Sequence, residues 1–86
     1  MTKQITCKFE WHGEIEYLVF YLIDKAIASI SSERHGPAIT FEIRILYKDG
    51  KIRRFRTYIA DLEDAITIAQ HKICEEYKQV SFTEMA

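Results

Sequence analysis

The residue types that hold zinc occur at Cys7, His12, His71 and Cys74. His71 and Cys74 stand three apart, which places both on one side of a helix, and Cys7 and His12 would have to complete a tetrahedral set from another element. No Cys-x-x-Cys pair anchors such a site. Cys7 alternates with apolar neighbours that point inward, and His71 falls on the outer face of its helix. A buried thiol and a solvated histidine describe these residues better, so no metal is assigned. His12, near Glu10 and Glu14, has the types for acid–base work, but an alternating strand and a turn give it no defined geometry. His35, beside Gly36-Pro37, fits the end of a helix. With three glycines in all, the chain offers no phosphate-cradling loop, dinucleotide fingerprint or nucleophile elbow. No catalytic residue and no cofactor are assigned, and the expected function is binding.

The charges carry the strongest signal. The whole chain holds 12 Lys and Arg against 13 Asp and Glu, a net charge of −1. Residues 44–56 alone contain six basic side chains (Arg44, Lys48, Lys51, Arg53, Arg54, Arg56) against Asp49, a net +5. The remainder is −6. A nearly neutral protein is therefore a basic segment on an acidic body. Together with Tyr58 these residues suit an anion contact, either nucleic-acid phosphates or an acidic protein surface. The same residues also suit an edge hairpin kept from aggregating by its charge. Residues 53–58 lack the glycine and the alternating aromatics of the RNA-recognition sheet motif.

Periodicity supplies the elements that position these residues. A strand spans residues 4–11, where Ile5, Cys7, Phe9 and Trp11 alternate with polar neighbours. After Gly13, Ile15, Leu18, Val19, Leu22, Ile23, Ala26 and Ile30 recur at three and four, predicting a long helix that stops at Ser31-Ser32 and Gly36-Pro37. Strands follow over residues 38–47 and 51–59. Asp61 then caps a last helix with Leu62, Ala65, Ile66, Ala69, Ile73 and Tyr77 as its buried stripe. Val80-Ser81-Phe82 either adds a short fourth strand or trails off. The expectation is a single α+β domain over residues 1–86, ordered β-α-β-β-α, with two helices on one face of the sheet. With the tail strand it would be ferredoxin-like.

Register decides which basic residues share a face. A two-residue Asp49-Gly50 loop would set Ile43 and Ile45 opposite arginines and bury guanidiniums at a cost of several kcal/mol. A three-residue loop with Gly50 left-handed sets Ile43 opposite Phe55, Phe41 opposite Thr57 and Ile39 opposite Ile59. The second register is the expected one. It puts Glu42 opposite Arg56 and Arg44 opposite Arg54 on the face away from the helices, with Lys8 and Tyr58 nearby.

On the predicted first helix, Tyr17, Phe20, Tyr21 and Ala28 follow helical spacing on the side opposite the core stripe, interrupted by Asp24. An aromatic face left to solvent suggests a protein interface or a homodimer. The favoured function is thus a non-enzymatic protein-binding module, an inhibitor or adaptor. Its size and opposed charge patches resemble those of small phage or mobile-element inhibitors of host enzymes, anti-CRISPR proteins among them, though no motif is shared. The alternative is a nucleic-acid-binding domain using the basic hairpin and the open sheet face.

Composition agrees with a small folded domain. Hydrophobic residues make up 48% and aromatics 13% of 86 residues, too many for a disordered tail and too few residues for a second core. The longest apolar run, from Tyr17 to Ile23, falls far short of a membrane span. The first ten residues lack an apolar signal core, so the expected address is cytosolic, with reduced cysteines.

Overall fold

The computed structural model describes residues 2–58 and 61–83. Among them the chain forms strands β1 (Lys3–His12), β2 (Ile15–Leu22), β3 (Lys25–His35), β4 (Ala38–Leu46) and β5 (Ile52–Thr57), helix α1 (Leu62–Glu76) and strand β6 (Val80–Phe82). The strands make one curled, half-barrel sheet in the order β5-β4-β3-β2-β1-β6. Pairing is antiparallel from β1 to β5, and β6 joins β1 in parallel. The helix carries the chain from one edge of the sheet to the other. At fifteen residues, it is not long and apolar enough to cross a membrane.

This architecture corrects the β-α-β-β-α expectation and the ferredoxin-like reading with it. One helix, not two, packs on the sheet, and the segment read as a long first helix is β2, a turn and most of β3. The cause is burial on both faces. Leu18 and Phe20 of β2 point into the core, while Val19, on the opposite face, is only 7% exposed. A strand buried on both sides loses the polar alternation that marks a half-buried one, and its continuous apolar run also fits a helical stripe. Residue types favour the strand, since Ile, Val, Tyr and Phe dominate Ile15–Leu22.

Turn chemistry explains the misreading further. Gly13, where the sequence pattern ends the first strand and opens a helix, and Gly36, where it stops that helix, are the first residues of two-residue hairpin loops, with φ of +67° and +62°. A glycine there is a hairpin signal, because the loop that matches strand twist needs a positive φ. The β2–β3 loop puts Ile23 in that position, at φ +59°. A β-branched residue is an outlier in this region. No sequence signal marks such a turn.

The core lies between α1 and one face of the sheet. Ile5, Leu18, Phe20, Ile30, Ile43 and Ile45 rise from the strands to meet Ala65, Ala69 and Ile73. Burying each larger side chain contributes roughly 1.5–3 kcal/mol. Two alanines on the inner stripe bring the helix close to the sheet. A bulge between β2 and β3, where Phe20 pairs with Ala28 but Tyr21 with Ala26, leaves Ile27 as the extra residue and buries it. The helix begins as the sequence predicts, with the Asp61 carboxylate accepting from Glu63 N at 2.9 Å. Its end is tied to β4 by the Tyr77 hydroxyl, which donates to the Leu46 carbonyl. Val80–Phe82 adopts the short strand that the sequence allowed.

Candidate functional site

The basic residues sit on the β4–β5 hairpin, whose closure follows from its loop. Gly50 N donates to the Tyr47 carbonyl at 2.9 Å and Tyr47 N to the Lys51 carbonyl at 2.8 Å, with Gly50 at φ +86°. This is the three-residue loop with a left-handed glycine. Asp49 stiffens it by accepting from Lys51 N at 2.9 Å, and Glu76 at the helix end accepts from Lys48 N at 3.0 Å. The expected register follows, with Phe41 opposite Thr57, Glu42 opposite Arg56, Ile43 opposite Phe55 and Arg44 opposite Arg54. The expected Ile39–Ile59 pair involves Ile59, outside the described residues.

The ion pairs differ from those the register suggested. Glu42, 6% exposed, stands two residues from Arg44 on β4 and diagonal to Arg54 on β5, and reaches both, at 3.5 Å from Arg44 Nη2 and 3.8 Å from Arg54 Nε. One carboxylate therefore relieves the like-charge pair of Arg44 and Arg54. Arg56 extends across the sheet to Glu33 of β3 at 3.7 Å instead of pairing with the facing Glu42. Arg44 Nε is buried without a hydrogen-bond partner, a local cost of this packing. Farther along the same face, Tyr21 donates to the Glu10 carboxylate, which lies 3.7 Å from His12 Nε2, and Lys8 Nζ sits 5.2 Å above the Tyr21 ring. The hydrogen bond to Glu10, with smaller contributions from burial and the carboxylate charge, raises the Tyr21 pKa above its ordinary value.

Basic groups also occupy the helix side of the hairpin. Arg53 lies 4.7 Å over the Tyr47 ring, Lys48 Nζ 5.9 Å over Tyr77 and Lys72 Nζ of α1 3.8 Å over Phe55. Lys48 and Lys51 are exposed at the tip, and Tyr58, just past β5, is 87% exposed. β5 is an end strand of the sheet. No described element pairs with its outer edge, which carries Ile52, Arg53, Arg54, Phe55, Arg56 and Thr57.

The residues predicted to form an aromatic helix face do not share a surface. Phe20 and Ala28 lie in the core, Tyr17 and Tyr21 are half-buried on the open face of the sheet, and Asp24 is in the β2–β3 turn. Sequence reading missed Glu33 and Lys72, which no local pattern connects to the hairpin. Only the sheet order brings Glu33 to Arg56, and only helix packing brings Lys72 to Phe55. No protein family, curated protein or solved structure matches this chain.

The residues with metal-binding types stay apart. Cys7 is half-buried against the core, which raises its thiol pKa, whereas Cys74 and His71 are exposed on α1. Among the described residues no three His, Cys, Asp or Glu side chains gather where a metal could bind.

Proposed function

We propose that this protein is a non-enzymatic binding module, a cytosolic inhibitor or adaptor that holds a protein partner through its basic β4–β5 hairpin. The observation that carries this reading is the net +5 of residues 44–56, together with their position on an end strand of the sheet. The acidic body and the basic edge favour a partner with an acidic surface, and electrostatic steering would speed their encounter. A small phage or mobile-element inhibitor, such as an anti-CRISPR protein, remains the concrete version, supported by size and by the opposed charges.

Protein is favoured over nucleic acid because carboxylates interleave the basic groups. Glu10, Glu33 and Glu42 lie on the same sheet face as Lys8, Arg44, Arg54 and Arg56, and Glu42 and Glu33 contact the three arginines. A phosphate backbone would meet those carboxylates. Single-strand binders also rely on several stacking aromatics, and at the hairpin only Tyr58 is strongly exposed.

The test is affinity capture from cells that express the protein, with and without nuclease, comparing the parent with an Arg53→Ser, Arg54→Ser, Arg56→Ser variant of matched thermal stability. A discrete protein that survives nuclease and is lost with the variant supports the proposal. Heterogeneous material that disappears with nuclease, and whose binding falls steeply with salt, moves the function to nucleic acid.

A further inference from the structure

We infer that the outer edge of β5 accepts an acidic, extended segment of another protein as an added strand, an inference that rests on the binding-module reading and specifies its partner. The hairpin geometry identifies the available backbone groups. Tyr47 N donates to the Lys51 carbonyl, so this pair is hydrogen-bonded across the ladder. Antiparallel pairs alternate between bonded and non-bonded. Arg53, Phe55 and Thr57 therefore direct their N–H and C=O groups toward β4, while Ile52, Arg54 and Arg56 direct theirs outward. The register runs from Leu46–Ile52 to Phe41–Thr57 without a shift. The strand has no proline. Two common devices for blocking an edge are thus missing.

Side-chain placement selects the occupant. An added strand points alternate side chains to the two sides of the sheet. On the open side its residues would meet Arg54 and Arg56, whose side chains are 67% and 62% exposed. On the helix side they would meet Arg53 and Lys72, each resting on a ring. Cations therefore border the edge on both sides. The contacts of Arg54 and Arg56 with Glu42 and Glu33, at 3.8 and 3.7 Å, are longer than hydrogen bonds. A segment that carries carboxylates at alternate positions offers them closer partners. A second copy of β5 would instead set three arginines against three, with no acidic residue in the strand to relieve them. The arginines thus repel a copy and favour an acidic partner, so one composition supplies both sides of specificity.

The experiment titrates the full chain with capped peptides of about ten residues, the length of a long strand, that alternate Glu with Val, Ile, Thr or Tyr. Backbone amide exchange is read residue by residue. Strand addition predicts exchange slowed about tenfold or more at Ile52, Arg54 and Arg56, with Arg53, Phe55 and Thr57 unchanged. The same peptides N-methylated at alternate residues keep their charge but lose about tenfold or more in affinity, because they cannot donate to the edge. Equal affinity for methylated and unmethylated peptides would overturn strand addition in favour of charge attraction alone. So would absence of binding by the whole acidic set, or equal binding by peptides with Lys in place of Glu. A partner captured through the hairpin alongside any of these results would leave the binding-module reading standing and remove only the added strand.

Discussion

The β2–β3 and β4–β5 hairpins are built from the same kind of strand yet occupy opposite situations. β2 and β3 lie inside the sheet between β1 and β4, whereas β5, among the described residues, is bonded on one side only. The interior hairpin buries Leu18, Phe20, Ile27 and Ile30 toward the helix, with Val19 and Ser31 buried on the other face. The end hairpin buries Phe41, Ile43 and Ile45 from β4 but leaves most of β5 exposed and basic. Location in the sheet thus decides what each strand can carry. An interior strand has little room for charge, and Glu42 is kept on β4 by the arginines that flank it. An end strand can take three arginines at little cost in stability, and these then decide what may dock beside it.

The largest expected effect breaks the interior hairpin. Phe20→Ala should cost about 3–5 kcal/mol through lost burial and a cavity, measured by urea unfolding. Arg53→Ser, on the end strand, should stay within about 0.5 kcal/mol. Comparable losses from the two substitutions would abolish the distinction between the hairpins.

Glu42→Ala comes next, at about 2 kcal/mol, because it leaves Arg44 and Arg54 facing one another without their shared carboxylate. Glu33→Ala, which removes a more exposed partner of Arg56, should cost less than about 1 kcal/mol. If the two were equally costly, the shared role of Glu42 would be wrong.

Ile23→Gly tests the interior turn in the opposite direction. With φ already at +59°, glycine should stabilise the chain by about 1 kcal/mol, seen as a higher midpoint with unchanged urea dependence. A loss of stability would mean that Ile23 makes contacts that outweigh its backbone strain.

The last prediction concerns the tie between α1 and β4, where the readout is a pH dependence. Burial first, and then the Glu76 charge, raise the Tyr77 pKa above its ordinary value of about 10. The fold therefore favours the protonated phenol. Its contribution is fully present below about pH 10 and is lost as pH rises through the higher folded-state value. Tyr77→Phe should cost about 1 kcal/mol near neutrality by removing the bond to Leu46. That gap should narrow at alkaline pH, and parallel stability curves would rule this out.

What could be read from the chain follows the same division. The β4–β5 register was legible from local facts alone, since Gly50 sets the loop and the alternative register would bury arginines. The start of α1 at Asp61 was legible for a similar reason, as a cap needs only its own first turn. The segment from Ile15 to Ile30 was not. The spacing of its apolar residues fits a helical stripe as well as a strand buried on both faces, although their types lean to the strand.

By itself the sequence determined the end hairpin, the capped helix and the division of charge between a basic edge and an acidic body, and it left the last strand at Val80–Phe82 open. Each depends on a turn, a cap or an alternation spanning a few residues. Only the tertiary structure decided that residues 15–30 form a hairpin rather than a helix, and that Glu33 and Lys72 reach the basic strands. Those outcomes depend on burial against β1 and β4 and on the path of α1 across the sheet. Such contacts join residues far apart in the chain, and no local period records them.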